Sequence, residues 1–323
     1  MANYKELEGF SVQTLATDPD SPGWIGSIFY NSTSGTFKTV KPGGIAVATW
    51  SSGGDLSTAP YWLMGGGMGA STSSALASGG SPNSTSNELY NGTSWTEVND
   101  LNTGGDGISP AGTASAGLAI GGRRAPNAYS NLVESWDGTN YTEIAEINTG
   151  RAVGASFGTQ TSALIAGGDT PPYSTFTEIW NGSAWTEVND LNTPKGHWAG
   201  AGTTTAGIAG GGGSPQTVAE SWNGTSWTTV NSLNNGRYGL SSSGNGTQTS
   251  MIVFGGDSSG VKANTEFYDG STWTEVADLA TARYYGGGAG TSSSALAIGG
   301  EPSVAATEEW TVPDIVINTL TTS

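Results

Sequence analysis

The sequence predicts an all-β fold: a six-bladed β-propeller, closed by an N-terminal strand around Trp50 and preceded by a small β-hairpin. Three observations carry this prediction. A nine-residue phrase, Glu-x-Trp/Tyr-Asn/Asp-Gly-Ser/Thr-x-Trp/Tyr-Thr, starts at Glu88, Glu134, Glu178, Glu220 and Glu266, with a truncated copy at Glu308. Its copies lie 42 to 46 residues apart, the period of a four-stranded blade. A short apolar run ending in Gly-Gly also recurs six times, at Gly80, Gly122, Gly168, Gly211, Gly256 and Gly300.

Each unit reads as four strands. The first is glycine-rich, as in the run from Arg283 to Gly290, because innermost strands crowd around an axis and small residues let backbones approach. A Gly-Thr-x-Ser/Thr turn (Gly112, Gly158, Gly202, Gly246, Gly290) leads to the second, an apolar run of the kind that is buried on both faces. The third carries Glu-x-Trp/Tyr and the fourth the second aromatic. Asn-Gly or Asp-Gly joins them at Asn91, Asp137, Asn181, Asn223 and Asp269, a dipeptide that tolerates positive φ at both central positions of a tight hairpin.

The sixth unit lacks its fourth strand. The segment around Trp50, one period before Trp95, supplies it from the other end of the chain and leaves no open edge. The propeller therefore spans 45–312, between an N-terminal segment 1–44 and a tail 313–323. Within 1–44, the runs 23–30 and 36–40 flank a five-residue loop and read as a hairpin. A lone hairpin is marginal in water and has to pack on something.

Composition narrows the function. Gly makes up 52 of 323 residues, which alone would fit a linker, but 12 Trp, 11 Tyr and 7 Phe at fixed places supply a core. Net charge is −17, so a phosphate backbone is repelled and nucleic acid is not an expected partner. The N-terminus lacks a basic start and an apolar run, so no signal peptide is read. No stretch of about 18 apolar residues could insert into a membrane. The Asn-x-Ser/Thr sequons coincide largely with the hairpin turns and read as turn chemistry.

A hydrophobic run, Gly-Gly, and two aromatics on the third and fourth strands resemble the kelch-type propeller. Here the aromatics are five residues apart (Tyr90/Trp95, Trp136/Tyr141, Trp180/Trp185, Trp222/Trp227, Tyr268/Trp273), slightly closer than in kelch. The spelling of near-identical units such as 91–103 also resembles proteins of marine bacteriophages. A Tyr-Asn-Ser-Thr segment followed by a short basic strand, as at Tyr30, is similar to phage tail and fibre proteins. That resemblance implies a virion location, with assembly in the host cytoplasm. It makes 1–44 an attachment element for other virion proteins, the alternative being a cover over the first and last blades. Virion appendages are commonly oligomeric, but the repeat sets no stoichiometry.

The two faces of such a fold differ. One-to-two and three-to-four turns are nearly invariant, whereas the two-to-three loops (81–87, 123–133, 169–177, 213–219, 257–265, 301–307) diverge in every unit. Loops that vary on a rigid scaffold are where binding resides. The same face receives a column at the start of strand one: Pro60, Gly105, Arg151, Lys195, Arg237 and Arg283. Tyr61, Trp62, His197, Trp198, Tyr238, Tyr284 and Tyr285 follow these positions, and Arg123 and Arg124 lie in a variable loop. Aromatic platforms with fork-shaped donors suit a carbohydrate, or an acidic group within one. The competing reading is structural, with the basic side chains bonding between blades.

A nucleophilic triad needs a His base, and the one His, His197, reads as structural; with one His and no Cys no zinc set can be built, and no cofactor is expected. The repeated glutamates read as architecture, because a catalytic pair should break six-fold symmetry. The unmatched Asp106, Asp169, Asp257 and Glu301 keep a glycan hydrolase as a minor alternative. The sequence-level expectation is a phage virion protein, not an enzyme, whose variable face binds a host-surface glycan or receptor. A purely structural virion component and a protein-binding kelch-type scaffold are the alternatives.

Overall fold

The computed structural model describes residues 12–63, 67–124, 128–213, 216–302 and 305–320. The first residues of the expected attachment segment and parts of three variable loops lie outside these. The chain divides into two compact units, one formed by 1–48 with 312–323 and the other by 49–311.

In the first unit, Ile28–Asn31 and Thr36–Pro42 pair antiparallel, as the hairpin reading requires. Ile25 and its neighbours do not extend the first strand, because Pro22–Trp24 forms a 3-10 turn. Gln13–Leu15 adds in parallel on one side. Ile315–Thr319 adds antiparallel on the other, with Val40 opposite Ile317. The C-terminal segment read as a tail is therefore a strand, and it raises a marginal hairpin to a four-stranded sheet. Phe29 and Val40 are buried, while Val12, Ile25, Ile28, Phe37, Val47 and Leu320 are exposed.

The second unit is all-β and built from four-stranded antiparallel sheets, an architecture of propeller type. Six such sheets occur among the described residues. The third runs Ala155–Thr159, Ser162–Ala166, Thr177–Trp180, Trp185–Val188, and the others follow the same order. In the last, Gly287–Thr291, Ser294–Ile298 and Thr307–Thr311 are joined by Thr49–Ser52, with Trp310 opposite Trp50. First strands touch neighbour to neighbour through the series, and Gly287–Thr291 meets Gly67–Ser71.

The repeated residues explain this order. Second-strand centres such as Leu118, Leu164 and Ile208 are fully buried. Third- and fourth-strand aromatics face each other in every sheet, with ring centroids 4.9–5.4 Å apart. The fourth-strand ring also reaches the preceding sheet: Trp227 Nε1 donates to Thr177, Trp95 to Thr307 and Trp50 to Thr265. The Asn-Gly hairpin differs from expectation. Tyr90 pairs with Trp95 across a four-residue loop, and Asn91 Oδ1 accepts the backbone N–H of Thr93 and Ser94. Only Gly92 needs positive φ, so the Asn acts through its side chain.

Candidate functional site

Six lead-ins, one before each first strand, converge at one mouth of the second unit. Each turns on a left-handed residue: Trp62, Gly107, Val153, His197, Gly239 and Tyr285, all with φ between 53° and 63°. Backbone bonds of 2.8–3.0 Å link them in series, from the Gly107 N–H to the Trp62 carbonyl, then Val153 to Gly107, His197 to Val153, Gly239 to His197 and Tyr285 to Gly239. Glycine accepts this conformation freely, while Trp, Val, His and Tyr each pay about 1–2 kcal/mol for it. Beside these turns the residue after the Gly-Gly pairs with the lead-in in five of the six units: Ser81 with Tyr61, Arg123 with Asp106, Asp169 with Ala152, Asp257 with Tyr238 and Glu301 with Tyr284.

The aromatic side chains gather beside this series of turns. Trp62 lies 4.6 Å from Tyr285, His197 5.4 Å from Tyr285 and 5.9 Å from Trp62, and Tyr284 4.6 Å from Tyr285. Carboxylates tie them down. Glu301 accepts from the Tyr284 hydroxyl at 2.6 Å and from Trp62 Nε1 at 3.2 Å. The bond to Glu301, with burial second, pushes the Tyr284 hydroxyl up to about 12. Burial, reinforced by neighbouring hydroxyls, pushes Tyr285 up as well. His197 Nε2 meets Asp169 Oδ2 at 3.0 Å, and Arg123 donates to Asp106 at 2.8 Å while lying 3.8 Å over the Trp62 ring. A cleft of about 320 Å³ opens beside His197, lined by Tyr129, Asp169, Pro171, Pro172 and Tyr173.

The structure brings Trp62, Arg123, His197, Tyr238, Tyr284 and Tyr285 together and corrects the basic half of the expected site. Arg151, Arg237 and Arg283 are buried and pair with Glu178, Glu266 and Glu308 at 2.5–2.8 Å. Lys195 is buried and donates to the Gly211 and Val218 carbonyls. Arg124 is buried and reaches Glu134 at 2.8 Å. Trp198 packs in the core against Trp227. These side chains are buried in the fold and not exposed at the mouth, although Arg124 Nη2, Arg151 Nε and Nη2, and Arg237 Nε have no hydrogen-bond partner there. Tyr61 stays half-buried and makes no ring contact with this cluster among the described contacts.

Sequence reasoning noted Asp169 and Glu301 only as unmatched acids and missed that they hold the aromatic cluster. Aligning the residue after each Gly-Gly, as was done for the lead-ins, would have placed them beside His197 and Tyr284. Among the described residues no cluster of three or more His, Cys, Asp or Glu could hold a metal ion. No helix among them is long and apolar enough to cross a membrane.

No family model and no curated protein matches the sequence. Among solved structures the chain is similar to that of YjhT, a β-propeller-type structure, with a TM-score of 0.62 and 14% identity over 82% of this chain and 96% of that one. The likeness shows the fold. It also corrects the expectation that the chain is not an enzyme, because a shared fold carries binding and catalysis alike.

Proposed function

We propose that the six sheets are the blades of one closed propeller, completed by Thr49–Ser52, and that its variable face binds glycan on a host-cell surface as part of a phage virion. The kelch-like and phage resemblances motivate the last part. The pairing of Trp310 with Trp50 and the bond from Trp50 to Thr265 support closure. Six exposed apolar side chains in the unit formed by 1–48 and 312–323 suit attachment to other virion proteins.

The observation that carries glycan binding is the aromatic cluster itself. Two of the six turn positions hold Gly, which is all the turn needs. Trp62, His197 and Tyr285 occupy the same place at a conformational cost, and such outliers point to function. Flat rings edged by carboxylates that accept sugar hydroxyls are a recognition surface.

The test is glycan-array and host-cell binding of the protein beside Trp62→Gly and Tyr285→Gly. Because Gly already serves at this turn, each variant should keep a single cooperative melt, lowered by the ring contacts it loses, while glycan binding falls at least tenfold. Unchanged binding, or no binding by the folded parent, would sink the reading.

A second reading rests on the Asp169–His197 pair. A carboxylate that orients an imidazole is the arrangement of a general base, so a bound sugar could undergo proton transfer there. Turnover of a bound glycan that His197→Gln abolishes would establish it.

A further inference from the structure

We infer that the mouth selects a cationic, donor-rich ligand, an amine-bearing sugar, over neutral or acidic ones; this rests on the glycan-binding reading. The argument begins with acceptors that lack donors. If His197 Nε2–H donates to Asp169 Oδ2, then Nδ1 carries a lone pair. Nδ1 is buried and has no partner, and His197 as a whole is only 7% exposed. Asp169 Oδ1 is likewise buried and unpartnered. Two neighbouring side chains, each with an acceptor short of a donor, call for a donor-rich ligand, and the choice of an ammonium among donors comes from charge.

Charge points the same way. Most cations that could have held an acidic sugar are turned inward: Arg151, Arg237 and Arg283 are buried against glutamates, and Arg123, which keeps 30% of its side chain exposed, is paired through Nε with Asp106 and lies over the Trp62 ring. Asp169, Asp257 and Glu301 line the same rim, with Lys262 at the foot of the fifth variable loop as the opposing charge. An anionic ligand would meet like charge on a chain of net −17. An ammonium would meet the Asp169 carboxylate beside the Tyr173 and Tyr285 rings that surround His197, a setting that favours cations over aromatic rings; the Trp62 ring already carries Arg123. The cleft of about 320 Å³ beside Asp169 is of monosaccharide size.

The experiment titrates the full chain with three oligosaccharides of equal length at about pH 7 and low salt: a β-1,4-glucosamine tetramer, its N-acetylated counterpart and a galacturonic acid tetramer. The first two share a backbone and differ in the amine. The glucosamine tetramer should bind at least tenfold tighter than the acetylated one, and the acid should bind weakest. Asp169→Asn and Glu301→Gln, which keep shape and lose charge, should cut that preference severalfold and leave the melting temperature near the parent's. Equal affinity for the first two, or a preference for the acid, overturns this inference while glycan binding stands. Failure of all three, together with an empty glycan array, overturns the glycan reading and this inference with it.

Discussion

Six buried glutamates occupy one position in the repeat, and what meets them differs. Glu88, Glu134, Glu178, Glu220, Glu266 and Glu308 each accept a backbone N–H from the loop entering their own blade, at 2.7–2.9 Å. Three also receive an arginine from the lead-in. At the second sheet the lead-in holds Gly105, and Arg124 arrives from the opposite strand, its Cγ occupying the space a Gly105 side chain would need. At the fourth the cation is Lys195, which bonds to carbonyls instead. Burial pulls Lys195 down to about 8, with Glu220 opposing by a smaller amount. Its unfolded-state value lies near 10.5, so between about 8 and 10.5 the unfolded chain holds more protons and stability rises with pH. The urea midpoint should therefore climb from about pH 7.5 to pH 9.5, and Lys195→Met should abolish the slope. The upper limit avoids the tyrosines, whose raised values act in the opposite sense above about 10. A parent midpoint that stays flat relative to the variant would refute the burial of a charged Lys195.

At the scale of elements, most strands were legible because every repeat poses the same demands and answers them with the same residues. Ile315–Thr319 was not, since it lies outside the repeat and nothing in its own pattern names Thr36–Pro42 as partner. For the column of basic residues the direction of the side chains was not legible: whether Arg237 faces solvent or Glu266 depends on a strand 29 residues away. The fifth sheet departs for a readable reason. From its left-handed residue to its Gly-Thr turn, Gly239 to Gly246, it is two residues longer than the second, third, fourth and sixth units; its first strand shortens to Ser241–Ser242, and Asn245 makes bonds to neighbouring first strands. Asn245 donates from Nδ2 to the Gly69 carbonyl at 2.7 Å and the Gly112 carbonyl at 3.2 Å, and its N–H bonds to Gly290. The side chain thus ties the first and second sheets to the fifth, and the backbone N–H of the same residue adds the sixth, beside a cavity of only about 30 Å³. Asn245→Ala strands these carbonyls and should cost about 1–3 kcal/mol, several degrees in a calorimetric melt. An unchanged melting temperature would mean the pin carries no weight.

For the whole molecule the central question is where the chain's two ends meet. If Thr49–Ser52 is the closing strand, the same four residues that link the two units by sequence also lock the ring, and their loss should act far beyond their size. Without them Thr307–Thr311 becomes an open edge, Trp310 loses the Trp50 ring, and Thr265 loses the indole bond to its hydroxyl. Two truncations separate closure from mere shortening: one comprises 45–312, the other 53–312. The first keeps every strand of the six sheets and should run as a monomer with one cooperative melt. The second removes only eight further residues, yet it should aggregate or melt at least about 10 °C lower, since an exposed edge and a broken aromatic pair act together. Light scattering and circular dichroism of the pair decide it. Equal behaviour would mean that the ring holds without its N-terminal strand and that sheet pairing between the chain's ends is incidental to stability.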